Sequence, residues 1–297
     1  DAEKLCSQWG GHFALKGIMS VEDAKKAKSL RESGIGALLV HVQDGIARGT
    51  GALVMPVDNP RDAIIRPEAS AHYSFRKGSS KQNYPSSLMG STALIRQTHY
   101  DALWYSEASK RGLAGGTNLS LEAFNSSQEL PQIFSAGNWK DILRATTIGE
   151  EFGIDYIVLG GGNSYQRADA IAETGATVIV PVNYPKAYDL SDPFLARFVS
   201  LTELKHWELA PSNAAILNEA GVEICFTSDG LKSPAEFLPA VRKAVERGLP
   251  ESEALAALTT NPAKSVGAEN LVGSLVSGLM ANVIVADGPL FDKETKL

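Results

Sequence analysis

The chain has 297 residues, with 28 Lys plus Arg against 34 Asp plus Glu, hence a formal net charge of −6. That acidic balance, with a sequence pI near 5.5 and no long basic block, excludes a binder of nucleic-acid backbones, which presents a basic stripe. Hydrophobic residues at 44% suit a globular core, and no apolar run approaches the roughly 20 residues that span a bilayer. The expected partner is therefore a small-molecule substrate, without nucleic acid or membrane, in a soluble protein of the cytoplasm or periplasm.

In chain order, VEDAKKAKSLRES (21–33) has helical spacing, with Ser20 and Asp23 where an N-cap and a first-turn acid belong. GIGALLVHV (34–42) predicts a strand, and DGIARGTGALVMP (44–56) predicts turns. Between Pro56 and Glu129 the periodicity loosens. RKGSSKQNYPSSLMG (76–90) predicts a long loop, and STALIRQTHYDALWYSEASKR (91–111) predicts a helix with its own apolar stripe. From there a strand–helix grammar repeats: ELPQIFSA then NWKDILRATTIGEEFG, DYIVLGGGNS then YQRADAIAETG, TVIVPVNYP, and finally NAAILNEAG, VEICFTSDG and PAEFLPAVRKAVERG. Ile142, Ala145, Thr146 and Ile148 mark the buried face of the helix that Gly153 stops. These apolar runs are too continuous for a one-sided sheet, so both faces are expected to be covered. The helix of SEALAALTTNPAKSVG follows, and GSLVSGLMANVIVADG (273–288) predicts two short strands joined at Gly278. Alternation of this kind gives an α/β fold with a parallel sheet.

The tail is similar to the C-terminal signature of the amidohydrolase superfamily, on Thr260, Pro262, Ala263, Gly267, Gly273, Ser274, Leu275, Gly278 and Ala281, with Asn282 where the family usually has Asp. LPQIFSAGNWKDILRATTIGEEFGID resembles the family's fourth strand and helix, and LNEAGVEICFTSDG resembles its eighth strand, ending in Thr227, Ser228 and Asp229. YPSSLMGSTALIRQTHYDALWY and LKHWELAPSN further resemble a divergent bacterial, imidazolonepropionase-like subgroup. The resemblance implies a TIM-type (β/α)8 barrel over residues 1–265, and a small β-sandwich appendage to which 266–297 contribute the C-terminal strands. Because the matches enter near the second strand, the barrel is expected to be incomplete at its N-terminus.

The family implies hydrolysis of non-peptide C–N bonds with one or two divalent metals, held by a His-x-His pair, a Lys, Glu or His from strand 4, His from strands 5 and 6, and Asp from strand 8. The chain has five His and no His-x-His. Strand 4 offers Ser135 and Ala136, strand 5 Gly160, Gly161 and Gly162, and strand 6 Asn183 and Tyr184. Asp229 alone stands at a ligand position, so the expected cofactor is at most one weakly bound divalent metal such as zinc, since several N or O ligands must converge to hold the ion. Asp229 is thus the candidate metal ligand and general base, or else the N-cap of the next helix. His206 is the second catalytic candidate, or a loop histidine packed on Trp207. Lys77, Asn183, Tyr184 and Asn163 are the substrate-binding candidates, Lys77 also being explicable as part of a solvated pair with His72. His41 suits a core role, and His12 and His99 carry no functional signal. GGGNSY (160–165) and RKGSSKQ expose backbone N–H groups that suit an anion, although tight turns need the same glycines. Ser79, Ser80, Ser86 and Ser87 lie in no Gly-x-Ser-x-Gly elbow. Cys6 and Cys225 form no CxxC motif. The expectations are a hydrolase with a degenerate metal site or, alternatively, an inactive protein of this fold serving as a binding or scaffold subunit, associated with itself or a homologous domain.

Overall fold

Short β-branched and aromatic runs form strands because alternate side chains can then be buried on one face. The computed structural model describes residues 28–57 and 63–297 and orders seven strands sequentially in one sheet. They are β1 (Leu38–Val40), β2 (Ala47–Val54), β3 (Ile64–Ser74), β4 (Gln132–Ser135), β5 (Tyr156–Leu159), β6 (Val178–Pro181) and β7 (Ile224–Thr227). β3 through β7 run parallel, with His72 opposite Ile133, Phe134 opposite Val158 and Val180 opposite Phe226. β1 and β7 are the two ends of the sheet, which makes an incomplete, TIM-like half-barrel.

One face of this sheet is dry. Phe134, Val158, Val178, Val180 and Ile224 point to a layer of helices and are all buried. Against them pack Ile142, Ala145 and Ile148 of α3 (Trp139–Phe152), Ile171 of α4 (Ala168–Glu173), Leu217 of α7 (Asn213–Glu219) and Val241 of α8 (Phe237–Glu246). Each such side chain contributes about 1.5–3 kcal/mol on burial. Ahead of them in the chain lie α1 (Leu88–Lys110) and α2 (Leu119–Ser127); the remaining helices are α5 (Pro193–Ala196), α6 (Leu201–Leu209), α9 (Glu251–Leu258) and α10 (Thr260–Ser265). The Asn138 side chain caps α3 by accepting from the Lys140 and Asp141 N–H groups, and Gly153 ends it at φ 67°.

Four sequence expectations change. Among the described residues the second face is less covered than the first: Ile157, Leu159, Ile179 and Pro181, which lie on it, are only half-buried. The strand predicted over 34–42, read from its apolar run as the first strand of the βα series, is not part of the parallel sheet, since β1 pairs antiparallel with β2 and β2 antiparallel with β3. The segment expected to be turns is β2 itself. Gly51 serves close approach, since a Cβ there would lie 2.5 Å from His72 Nε2 and 3.0 Å from Ser70 Oγ, and Gly49 sits at φ 73°. Finally, 273–288 contain no assigned strand; Leu275, Val276, Val283, Ile284 and Val285 are exposed, with no neighbouring strand paired to them among the described residues.

Two arginines tie the tail to the barrel. Buried Arg242 donates to the carbonyls of Leu290, Lys293 and Thr295, and Arg66 donates to those of Val266 and Gly267 at 2.9 and 3.0 Å. Val266, Ala268 and Val272 join Leu53, Ala69 and Ala263 in a smaller cluster. Residues 28–32 are helical, as their spacing predicts; Ser20, Asp23, Cys6 and His12 lie outside the described residues.

Candidate functional site

Parallel strands deliver the residues that follow them to one rim, where α/β enzymes assemble their chemistry. Here those residues are Arg76 after β3, Gly137 after β4, Gly161 to Asn163 after β5, Asn183 after β6 and Asp229 after β7. The turns are pressed together. A Cβ on Gly161 would run into the Gly137 carbonyl, and one on Gly230 into the Asn183 side chain. The glycines of GGGNSY therefore close a tight turn, and Asn183 is brought beside the loop that carries Asp229.

Asp229 is exposed at the end of β7, its N–H donating to Thr227 Oγ1 at 3.1 Å. Its counterpart comes from the other side of the sheet. On β2 the register slips between Ala47 and Gly49, leaving Arg48 as the extra residue of a β-bulge, a device that re-aims a side chain. Burial pulls the Arg48 guanidinium below its ordinary pKa, while the charge of Asp229 acts on it in the opposite sense. The curl of the sheet thus brings β2 and β7 into electrostatic reach. Arg48 is fixed by donating to the carbonyls of Gly45 (3.2 Å) and Arg76 (3.1 Å), and two of the five guanidinium N–H groups suffice for that. No sequence motif marks Arg48; the only available signal was a charged residue inside a glycine-interrupted alternating run.

The other candidates disperse. His206, on α6, meets Tyr165, whose hydroxyl lies 3.2 Å from its Nδ1 with the rings nearly parallel; no hydrogen bond or ion pair joins it to Asp229. Asn163 Oδ1 accepts from the Trp139 N–H at 3.1 Å, tying the β5 turn to the start of α3. The Tyr184 hydroxyl donates to the Ala240 carbonyl of α8 at 3.2 Å, and burial raises its pKa. Lys77 Nζ donates to the Gln82 carbonyl at 2.6 Å and lines a cavity on the helix side of β3. His41 stacks on buried His72 with centroids 3.8 Å apart, and His72 Nε2 lies 2.8 Å from Ser70 Oγ. His99 sits between sheet and helices. The Cys225 thiol is free and buried, its pKa pushed up to about 11 by desolvation.

Among the described residues, no three His, Cys, Asp or Glu side chains converge as a metal site requires. Besides the Asp229 carboxylate, the rim carries a guanidinium at Arg48 and an amide at Asn183.

Residues 210–297 match the amidohydrolase family. This amidohydrolase-like stretch contains β7 and Asp229. The whole structure is similar to an amidohydrolase from Thermotoga maritima MSB8, with a TM-score of 0.73 and 25% identity over 92% of this chain and 72% of that one. An uncharacterized metal-dependent hydrolase from Pyrococcus furiosus gives a TM-score of 0.42 at 17% identity, over 58% of this chain and 36% of its own. A Xaa-Pro dipeptidase with methionine in its active site gives 0.38 at 20% identity, over 54% and 40%. No curated protein matches the chain. The family match and the Thermotoga likeness together support the amidohydrolase superfamily. No helix among the described residues is long and apolar enough to cross a membrane.

Proposed function

We propose that the chain is a hydrolase of this superfamily, of an imidazolonepropionase-like but divergent type, which cleaves non-peptide C–N bonds in small cyclic amides or imides. The observation that carries this is Asp229, exposed at the end of the last parallel strand within the family-matching stretch, with its charge acting on Arg48 of β2. In the proposed reaction the Asp229 carboxylate takes a proton from water. The water oxygen then bonds to the carbonyl carbon, and the C–N bond breaks with the nitrogen leaving protonated. Arg48 and Asn183 are the donors proposed to stabilise the developing oxyanion, a contribution typically of about 10²–10³ in rate for each donor. The proton taken up by Asp229 is proposed to pass to the leaving nitrogen, which regenerates the carboxylate; His206, held by Tyr165, is proposed to line the site rather than to carry that proton.

The test is hydrolysis of a panel of cyclic amides and imides by purified protein, as isolated and after addition of zinc or manganese, alongside metal analysis. Turnover with or without added metal supports the proposal; no turnover in any arm overturns it. A second reading, a binding or scaffold subunit, is favoured by one observation: His206 is held by Tyr165 without a hydrogen bond to Asp229. That reading is supported if panel compounds bind at the rim and are recovered unchanged.

A further inference from the structure

On the helix side of β3, away from the face that carries His72 and Ser74, lies a cavity of about 300 Å³. Its floor is mainly aromatic: Tyr73 from β3, Ile95 and His99 from α1, and Phe124 from α2. Tyr73, Phe124 and His99 pack on one another, with centroids 6.1 Å (Tyr73–Phe124) and 5.0 Å (His99–Phe124) apart, so the floor is built from rings already held in place. The rim carries two opposite charges, Asp44 just before β2 and Lys77 in the loop after β3. They do not pair with each other. Lys77 donates one hydrogen bond, to the Gln82 carbonyl, and Asp44 accepts from Ser79 Oγ at 3.3 Å, so the three-donor ammonium and the carboxylate both keep capacity for a ligand.

A concave site of this size, with a mainly aromatic floor and a few fixed polar groups, is the usual form of a small-molecule site. Opposite charges side by side on its rim ask for opposite charges side by side on the ligand. We propose that this cavity binds an apolar α-amino acid, its carboxylate on Lys77, its ammonium on Asp44 and its side chain over Tyr73, Ile95 and Phe124. The loop 76–90 owes its length to forming one wall of this site, and Lys77 serves it rather than the rim where Asp229 lies. The proposal does not rest on the hydrolytic one.

Isothermal titration of the whole chain with L-phenylalanine and L-leucine tests it, with 3-phenylpropanoate and phenethylamine as analogues lacking one charge each. Saturable one-to-one binding of an amino acid is expected, weakened about tenfold or more in both analogues and in Lys77→Met and Asp44→Asn, with circular dichroism showing that both variants keep the fold. Asp229→Asn is expected to bind as the parent does. Absence of saturable binding overturns the proposal, as does binding that both rim variants leave unchanged or that Asp229→Asn abolishes.

Discussion

His99 offers a sharp test of the packing between sheet and helices, because its imidazole is buried neutral. It stacks on Phe152 at 4.6 Å, meets Phe124 edge-on and lies 3.3 Å from the Tyr156 hydroxyl, with 4% of its surface exposed. Desolvation lowers its pKa from an ordinary 6.5 to about 4, with Glu151 opposing. The folded pKa lies below the unfolded one, so the unfolded chain binds the proton more readily. Stability from this group is therefore complete above about pH 6.5 and is lost as pH falls towards 4. At 1.36 kcal/mol per pKa unit the loss approaches about 3 kcal/mol at the acid end, and about 2 kcal/mol has gone by pH 5. Urea unfolding at pH 7.5 and pH 5, for the parent and for His99→Leu, isolates the effect, since carboxylates titrate alike in both. The parent should lose about 2 kcal/mol more than the variant over that interval, whatever constant cost the variant carries for the Tyr156 hydroxyl. Parallel pH dependences would refute the buried neutral imidazole.

Arg242→Leu should cost about 3 kcal/mol in denaturant unfolding, because charged hydrogen bonds to three carbonyls are lost, and hydrogen exchange should rise in 289–296 specifically; unchanged exchange there would contradict the anchoring role. Gly161→Ala forces a Cβ against the Gly137 carbonyl and should destabilise by about 1–3 kcal/mol or more, whereas Gly153→Ala, where a Cβ meets nothing but φ is positive, should cost about 1 kcal/mol; reversal of that order in thermal melts would be inconsistent with the pressed turns. Gly51→Ala should destabilise by displacing His72 and Ser70, and equal stability of variant and parent would show that β2 and β3 are packed differently.

The parts of the fold legible in the sequence are those whose strands are buried by helices. IFSA, YIVL, VIVP and ICFT are continuously apolar, and the helix following the first of them carries Asn138 and Gly153 at its ends; each becomes the element its pattern predicts. What was not legible depends on partners distant in sequence. β2 contains Gly49 and Gly51, locally a turn signal, yet Gly51 is required because His72 and Ser70 occupy the space a Cβ would take, and Gly49 because its φ is +73°. β3 begins IIRPE, with Pro67 and two charges, and becomes a strand through pairing to β2 on one side and β4 on the other. The tail fails in the opposite sense: LVSGLMANVIVA has strand propensity, but no described strand pairs with it. Asp229 is a candidate from sequence because it stands in a family-like stretch, whereas nothing local singles out Arg48, whose β-bulge is invisible in sequence.

The central claim is that Asp229 acts as the base of a C–N hydrolase. Its most direct test is turnover of cyclic amides and imides by the parent and by Asp229→Asn in parallel, with far-ultraviolet circular dichroism confirming that both are folded. Measurable turnover is expected from the parent and a loss of about 10²–10⁴-fold in the variant, the usual contribution of a positioned general base. Equal turnover by the two proteins, or none by the parent on any compound, would contradict it.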